Sequence, residues 1–568
     1  MATIYTRSPR RRFDARRGAV LILLALFVFP GRVRAQAVAV DKLIRQAQEA
    51  EKHLDWLEAC RLYDEVLRRD RTHDDARSRL AYQRCLRRFH LVHRHQDKTY
   101  REALERVTPA QALELYTHVL ETIGRVYTDR QKSGPEQLFA QGLEELDLAL
   151  AEPVFLRVYF SAVPPAAVDA FRKKLNEWHG RKIANRNEAS EQVRAIGRTA
   201  QQMGFGLRPL VLTLIALEFV GGACNALDDY TFFLSPGQFR EVQAALRGRL
   251  VAIGVELEIV EGELHVRRVY PRGTAEEAGL APRDRLVRID GHSTHDMTLE
   301  KASELLRGRS GTTVKLEVVP YLRGDSETTT VFDIKRAPTI VPSVESEMQE
   351  SLNVELGDGM RFAVPVGKVT INFFQESTLQ EVKEALAALQ MAGMRVLILD
   401  LRGNPGGLFK SAVEVAELFV PEGVLVVSQT QPHVIKDRKL TGTIRSESLN
   451  ALLIPMVVLI DGDTASAAEV LAGALKDNNR AKLIGQTTFG KGSIQCIIPL
   501  DKPHFERMPA GIRITVAKLL SPSWQPYTVK GVQPHFTSPL EGNSLLIEAR
   551  ETLVEELLKS LRASSMSN

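Results

Sequence analysis

The chain has 568 residues, 26% of them charged and 44% hydrophobic, with 75 basic against 70 acidic side chains. Ordinary glycine, proline and aromatic content excludes a collagen-like, a wholly disordered or an integral membrane chain, and four cysteines exclude a disulfide-stapled mini-scaffold. The length predicts three or four domains at ~150 residues each, and the net charge of +5 would suggest a nucleic-acid or membrane-surface binder if it sat on the folded body.

It does not. Residues 1–34 hold eight arginines and one acid, Asp14, followed within the same segment by an eleven-residue apolar run, Ala19 to Phe29. That run is shorter than the ~20 residues that span a bilayer. Val33-Arg34-Ala35 offers a small-x-small cleavage site before Gln36. Basic, apolar, small is the order of a secretory signal peptide, so residues 1–35 are expected to direct export, to the periplasm or cell envelope of a bacterium. Contact with a membrane is expected only if this segment stays uncleaved. Without residues 1–35 the chain carries 67 basic and 69 acidic side chains, and the nucleic-acid reading goes with the arginines.

Residues 36–130 read as a helical region, charged and alanine-rich. Trp56, Ala59, Tyr63, Leu67 and Ala76 resemble the packing positions of one tetratricopeptide repeat. A single repeat cannot bury its own face, so it must pack on neighbouring helices. His90, His93 and His95 read as exposed imidazoles on an amphipathic helix rather than as a metal site. Residues 131–240 continue as helices broken at Gly134-Pro135, Pro153 and Pro164-Pro165. Within them the apolar run Leu210–Val220 predicts a buried helix capped at Gly221-Gly222.

From about residue 241 the texture changes. Leu264–Val269, Arg285–Asp290 and Val314–Val319 read as strands, Leu299–Leu306 as a short helix, and 325–345 as a strand plus linker. Residues 338–540 alternate strand, loop and helix. Helix Leu379–Leu389 leads to buried strand Arg395–Leu401, glycine-rich Gly403–Gly407 and helix Leu408–Phe419; strand Met456–Ile460 leads to helix Ala465–Lys476. This is the signature of a parallel sheet with helical cover, and residues 541–568 close the chain as a helix. Cys60, Cys85, Cys224 and Cys496 form no CxxC pair, and sequence alone assigns no disulfide among them.

In open parallel sheets, sites gather at the loops after the strands' carboxyl ends. One such loop is Asn404-Pro405-Gly406-Gly407, whose glycines let backbone N–H groups approach a ligand. Another, Gly462 to Ser466, places a hydroxyl at a helix N-terminus, where free N–H donors suit an oxyanion. Ser466-x-x-Glu469 is equally a capping box. A nucleophilic serine needs a base, and Lys491, between Gly490 and Gly492, is the candidate if burial lowers its pKa. A solvated turn lysine fits the same spacing, and the pattern alone leaves both pairs of readings open.

The strings DLRGNPGG (400–407), DGDTASAAEVLAGALKDNNRAKLIG (461–485) and TTFGKGSIQ (487–495) resemble the C-terminal-processing, or tail-specific, serine peptidases. In that family a serine and a lysine 25 positions apart form the catalytic dyad, as Ser466 and Lys491 are spaced. The resemblance implies that Gln495 orients the lysine, and that Ala467 with Gly406 or Gly407 forms the oxyanion hole. Gly273–Leu280 and Asp284–Gly291 resemble the core of a PDZ domain, expected over 241–337, with Ala252, Ile253, Gly254 and Val255 at its carboxylate loop. Leu227–Tyr230 with Leu234-Ser235 resembles a further family element.

Four positions depart from the pattern: Ala468 for a serine, Arg283 and Trp524 for glycines, and His535 for an aspartate. The implied architecture is multidomain α/β (α+β): a helical N-terminal region, a PDZ domain and a ClpP/crotonase-like parallel-sheet peptidase core. The implied function is an exported serine endopeptidase that recognises a free, apolar protein C-terminus. No metal, cofactor or nucleic acid is implied, and a protein adaptor at the N-terminal helices is a further expectation. The alternative is a non-catalytic or partner-activated peptide-binding scaffold of the same fold.

Overall fold

A computed structural model describes residues 40–69, 76–206 and 209–566, apart from 248, 261, 271–272, 296, 298, 309, 322–327, 356–360, 431–440, 501–507 and 541. The arginine-rich segment 1–35 lies outside the described residues. No helix among those described is long and apolar enough to cross a membrane.

The described residues begin with three helices, Val40–Lys52, Trp56–Arg69 and Ala76–Gln96. Trp56, Ala59, Tyr63 and Ala81 bury one side of the resulting hairpins in a small core of their own. Cys60 and Cys85 lie in that core, and all four cysteines are free thiols.

Further helices follow, and several start with proline as the first helical residue, among them Pro135–Ala151, Pro153–Tyr159 and Pro165–Leu175. Proline costs nothing there, because the N–H it lacks would have no intrahelical partner. The apolar helix Pro209–Asn225 is buried along most of its length. It does not stop at Gly221-Gly222 as expected. Those glycines lie inside it because a Cβ on Gly222 would stand 2.6 Å from Gln141 O and 2.7 Å from Gly142 Cα. The pair permits helix contact rather than termination.

The three histidines also depart from expectation, being buried. His95 is fully buried, with Nε2 2.9 Å from Glu218 Oε1, and the same carboxylate pairs with Arg94 at 2.6 Å. His90 stacks on Phe232 and His93 Nδ1 meets the Gln238 amide. The C-terminal half of the helix that carries them turns these side chains to Glu218 of the buried apolar helix and to Gln238 of Pro236–Leu246, so they serve as internal partners instead of surface.

An antiparallel pair of strands, Arg249–Ala252 with Ala337–Ile340, forms the neck of the next unit. Within it a sheet runs in the order Val255–Val260, Glu263–Val269, Arg285–Ile289, Thr313–Val319, Thr330–Lys335, packed with helix Leu299–Leu306 around its own core. Arg283 holds the left-handed conformation (φ 73°) that a glycine would adopt without strain. Its N–H donates to Val266 O at 2.7 Å, and its guanidinium meets Tyr321. The turn is kept and the side chain is anchored.

The largest unit has a six-stranded sheet in the order Val344–Glu355, Arg361–Ile371, Val396–Asp400, Met456–Ile460, Lys482–Gly485, Phe536–Thr537. All neighbours after the first pair are parallel. Both faces are covered, which is why the central strands are continuously apolar. Val457 and Leu459 meet Leu545, Ala549 and Leu553 of the C-terminal helix, while Met456, Val458 and Ile460 face the main core. A five-stranded second sheet centred on Gly511–Leu520 stands beside it and carries Gln495 and Arg513. His535 holds the edge of the parallel sheet, its Nδ1 accepting the Leu483 N–H at 3.0 Å.

Candidate active site

Three successive parallel strands, ending at Asp400, Ile460 and Gly485, deliver three loops to one end of the sheet. These are the glycine loop (403–407), the serine loop (461–466) and the lysine loop (487–492). Side-chain oxygens lock each of them. Asp461 Oδ1 accepts the N–H groups of Gly403, Asp463 and Thr464. Asn404 Nδ2 donates to Ile371 O, and the Ala465 N–H donates to Asn404 O.

Ser466 stands where the serine loop turns into helix Ala467–Asp477, with φ 55° and ψ −115°. A non-glycine residue in so rarely populated a conformation is a store of local strain, typical of side chains held at functional turns. Gly406 passes directly beneath it: a Cβ there would lie 2.8 Å from Ser466 Cβ and 2.9 Å from Ala467 N. Gly407 has still less room, 2.0 Å from Phe374 O.

The two glycines differ in their hydrogen bonds. The Gly406 N–H is donated to Asn404 Oδ1 at 2.8 Å. Phe374 N–H donates to Gly406 O, and Leu408 N–H donates to Phe374 O, so the Gly407 N–H points away from that bridge. Gly407, Ser466 and Ala467 all border a cleft of about 1150 Å³. Ala467 is the first residue of its helix, where N–H groups lack intrahelical partners.

Glu469 is the hub that ties the serine to the lysine. It is fully buried and accepts four hydrogen bonds: Ser466 N–H (2.7 Å), Thr488 Oγ1 (2.6 Å), Gly490 N–H (2.7 Å) and Lys491 N–H (2.8 Å). The capping-box reading therefore describes only one of its four bonds. Burial pushes its carboxyl pKa up, and the donated hydrogen bonds counter that rise.

Lys491 is 4% exposed, with Nζ 4.7 Å from the centroid of the Tyr230 ring. Its pKa lies well below the ordinary lysine value. Burial is the main cause and the Arg513 cation the next, with Glu469 and Asp228 opposing. Desolvation thus favours the neutral amine.

Gln495 sits at a bulge between strands Ser493–Pro499 and Gly511–Leu520. Its Nε2 donates to Ser493 Oγ (2.8 Å) and Thr515 Oγ1 (3.2 Å), and its Oε1 accepts from Arg513 at 3.2 Å. Ala468 is buried beside the serine, and Trp524 lies away from it, exposed and with φ 62°.

In the smaller unit, Ala252–Val255 leads into an edge strand. Ile253 is buried, and the carbonyls of Ile253 and Gly254 accept the N–H groups of Ala275 and Tyr270. Gly254 is left-handed (φ 83°), with Thr339 Cγ2 only 3.0 Å from where a Cβ would sit. Val255–Val260 ends the sheet order, so its outer edge pairs with no strand among the described residues.

Glu469, Asn404, Tyr230 and Arg513 were not singled out as site residues by sequence reasoning. Asn404 and Tyr230 lie in strings that resemble the family, and Glu469 is an acid within the otherwise apolar helix segment AAEVLAGAL; Arg513 offered no signal.

Comparison with known proteins matches residues 365–538 to peptidase family S41 and residues 265–320 to the PDZ domain. The chain is similar to the carboxy-terminal processing protease CtpA of Bacillus subtilis, with 31% identity over 56% of this chain and 63% of that protein. It is also similar to a carboxyl-terminal-processing protease of Picosynechococcus, with 32% identity over 61% of this chain and 78% of that one. The chain thus spans less than two thirds of the Bacillus relative's length. With both family models matched, and the Picosynechococcus relative covered over most of its length, the chain belongs to the PDZ-containing carboxyl-terminal-processing serine proteases of peptidase family S41.

Proposed function

We propose that the protein is an exported endopeptidase that grips a free, apolar C-terminus in its PDZ unit and cleaves the bound chain with a Ser466–Lys491 dyad. The observation that carries this reading is the Glu469 hub, which fastens a strained serine and a buried lysine to one carboxylate. A scaffold that only binds peptides has no use for a desolvated lysine, whose burial is costly unless the neutral amine is wanted.

Neutral Lys491 takes the Ser466 hydroxyl proton as Oγ bonds to the scissile carbonyl carbon. The carbonyl electron pair moves to oxygen, where the N–H groups of Ala467 and Gly407 receive it. Gly407 is favoured over Gly406 because the latter's N–H is already donated to Asn404. One such donor typically contributes 10²–10³ in rate. Collapse breaks the C–N bond, and the Lys491 ammonium protonates the leaving amine. Water then resolves the ester by the same proton path, with Ser466 as leaving group. Gln495 acts on the lysine through Arg513, which it holds as a second buried cation beside the amine.

The cleft supports delivery from one unit to the other. It runs from Ser466 past helix Pro236–Leu246 to Val251, Arg307 and Gly308, at the neck and helix end of the PDZ unit. A peptide added antiparallel to the free edge of Val255–Val260 would carry its carboxylate to the Ala252–Val255 turn. Residues 1–35 supply the export signal in this reading, and a separate adaptor is not required by it.

The test compares an unstructured protein ending in apolar residues as the free acid and as the C-terminal amide. Losing a charge-assisted hydrogen-bond partner is expected to raise KM about tenfold or more, with cleavage itself retained. An unchanged KM would contradict recognition of the carboxylate.

A further inference from the structure

Helix Trp56–Arg69 belongs to the three-helix N-terminal module, which lies outside both family matches. Its last turn nevertheless reaches the loops that carry the proposed dyad. Arg68 Nη1 pairs with Asp463 Oδ1 at 2.8 Å, and its Nε stands 2.7 Å from Asp64 Oδ2 in a second ion pair. The guanidinium plane also covers the Phe489 ring, 4.6 Å from its centroid. Asp463 is three residues before Ser466 and Phe489 two before Lys491, so one side chain touches both the serine and the lysine loops.

The next helix of the module makes a second approach. Gln83 Nε2 donates to Asp229 Oδ1 at 3.1 Å, adjoining the Tyr230 ring that faces Lys491 Nζ. The module therefore meets the surroundings of the dyad at two places, through Asp463 and Phe489 and through Asp229.

We propose that Arg68 is a positioning residue, and that the N-terminal helical module acts as an intramolecular clamp that holds the serine and lysine loops in register. Arginine suits this role because its planar fork pairs with a carboxylate and stacks on a ring at the same time, which an ammonium does not do. A pair of partly exposed charges contributes little to stability. Misplacing reacting groups by about 1 Å, however, costs about 10² in rate. A clamp and a mere surface contact thus differ in which quantity they move. This inference rests on the Ser466–Lys491 reading.

The full-length protein, Arg68→Ala, Arg68→Lys, Asp463→Asn and Ser466→Ala are compared on an unstructured protein with an apolar C-terminus, following kcat, KM and Tm. The clamp predicts that Arg68→Ala loses about 10² in kcat with KM nearly unchanged and a small shift in Tm. Arg68→Lys should recover part of that loss. Asp463→Asn leaves the module untouched and should show a kcat loss of the same kind, which keeps the test decisive if Arg68→Ala fails to fold. Wild-type kcat in folded Arg68→Ala or Asp463→Asn, with Ser466→Ala inactive, overturns the clamp alone. Wild-type cleavage by Ser466→Ala overturns the dyad reading and the clamp with it.

Discussion

Replacing Lys491 with methionine is expected to lower kcat by about 10⁶-fold, the scale on which a serine hydrolase loses activity without its base, while raising thermal stability near neutral pH. Both effects come from burial. An ordinary lysine with a pKa near 10.4 would be protonated at pH 7 and unable to accept a proton. Here burial, helped by Arg513, lowers that pKa well below the usual value. Activity should therefore rise with pH through the lowered pKa and level off well below pH 10.4.

Stability carries the opposite sign of benefit. Between the lowered native pKa and the ordinary unfolded one, the unfolded chain binds the extra proton, so stability increases with pH across that window. Native Lys491 is thus a net cost at neutral pH that methionine removes. The stability gap between the two proteins should close as pH approaches the unfolded lysine value. A methionine variant that loses activity and also loses stability would show that Lys491 is structural.

Glu469→Ala should have the second largest effect. It strands the N–H groups of Ser466, Gly490 and Lys491 and the Thr488 hydroxyl inside the protein. Each buried unsatisfied group costs about 1–3 kcal/mol. Even with partial relaxation, Tm is expected to fall by on the order of 10 °C. Activity should fall by at least about 10², because serine and lysine lose their common anchor.

Removing this carboxylate would depress the Lys491 pKa further, so a rate loss cannot be blamed on a protonated base. Glu469→Gln should fare little better. Both carboxylate oxygens accept two donors each, so the amide NH₂ must face donors whichever way it turns. A glutamine variant with wild-type Tm and rate would remove Glu469 from the account.

The sequence disclosed elements most faithfully where local pattern and tertiary need agree. Met456–Ile460 and Leu299–Leu306 are read with their observed limits, since a fully buried parallel strand is continuously apolar and a short amphipathic helix keeps its period. Gly221-Gly222 failed because a glycine that admits a neighbouring helix looks the same in sequence as one that ends its own. Gly222 admits Gly142, some eighty positions away, and Gly221 makes room for the Arg94 guanidinium.

His90, His93 and His95 failed for a related cause. Arginines and histidines all around one helix suggest solvent on every side, yet their partners Glu218, Gln238 and Phe232 lie more than a hundred positions downstream. The convergence of the loops that carry Ser466, Lys491 and the adjacent glycines at one end of the sheet was legible because loops after parallel strands are local events in the chain. The burial that lowers the lysine pKa was not. It depends on Tyr230 and Arg513, which arrive from a different helix end and a different sheet.

The dyad is tested most directly by proteolysis of one unstructured substrate by the wild-type protein, Ser466→Ala and Lys491→Ala, side by side at equal concentration. A Ser466–Lys491 dyad predicts cleavage by the wild type and losses of about 10⁶ in both variants. Equal cleavage by all three proteins would contradict it.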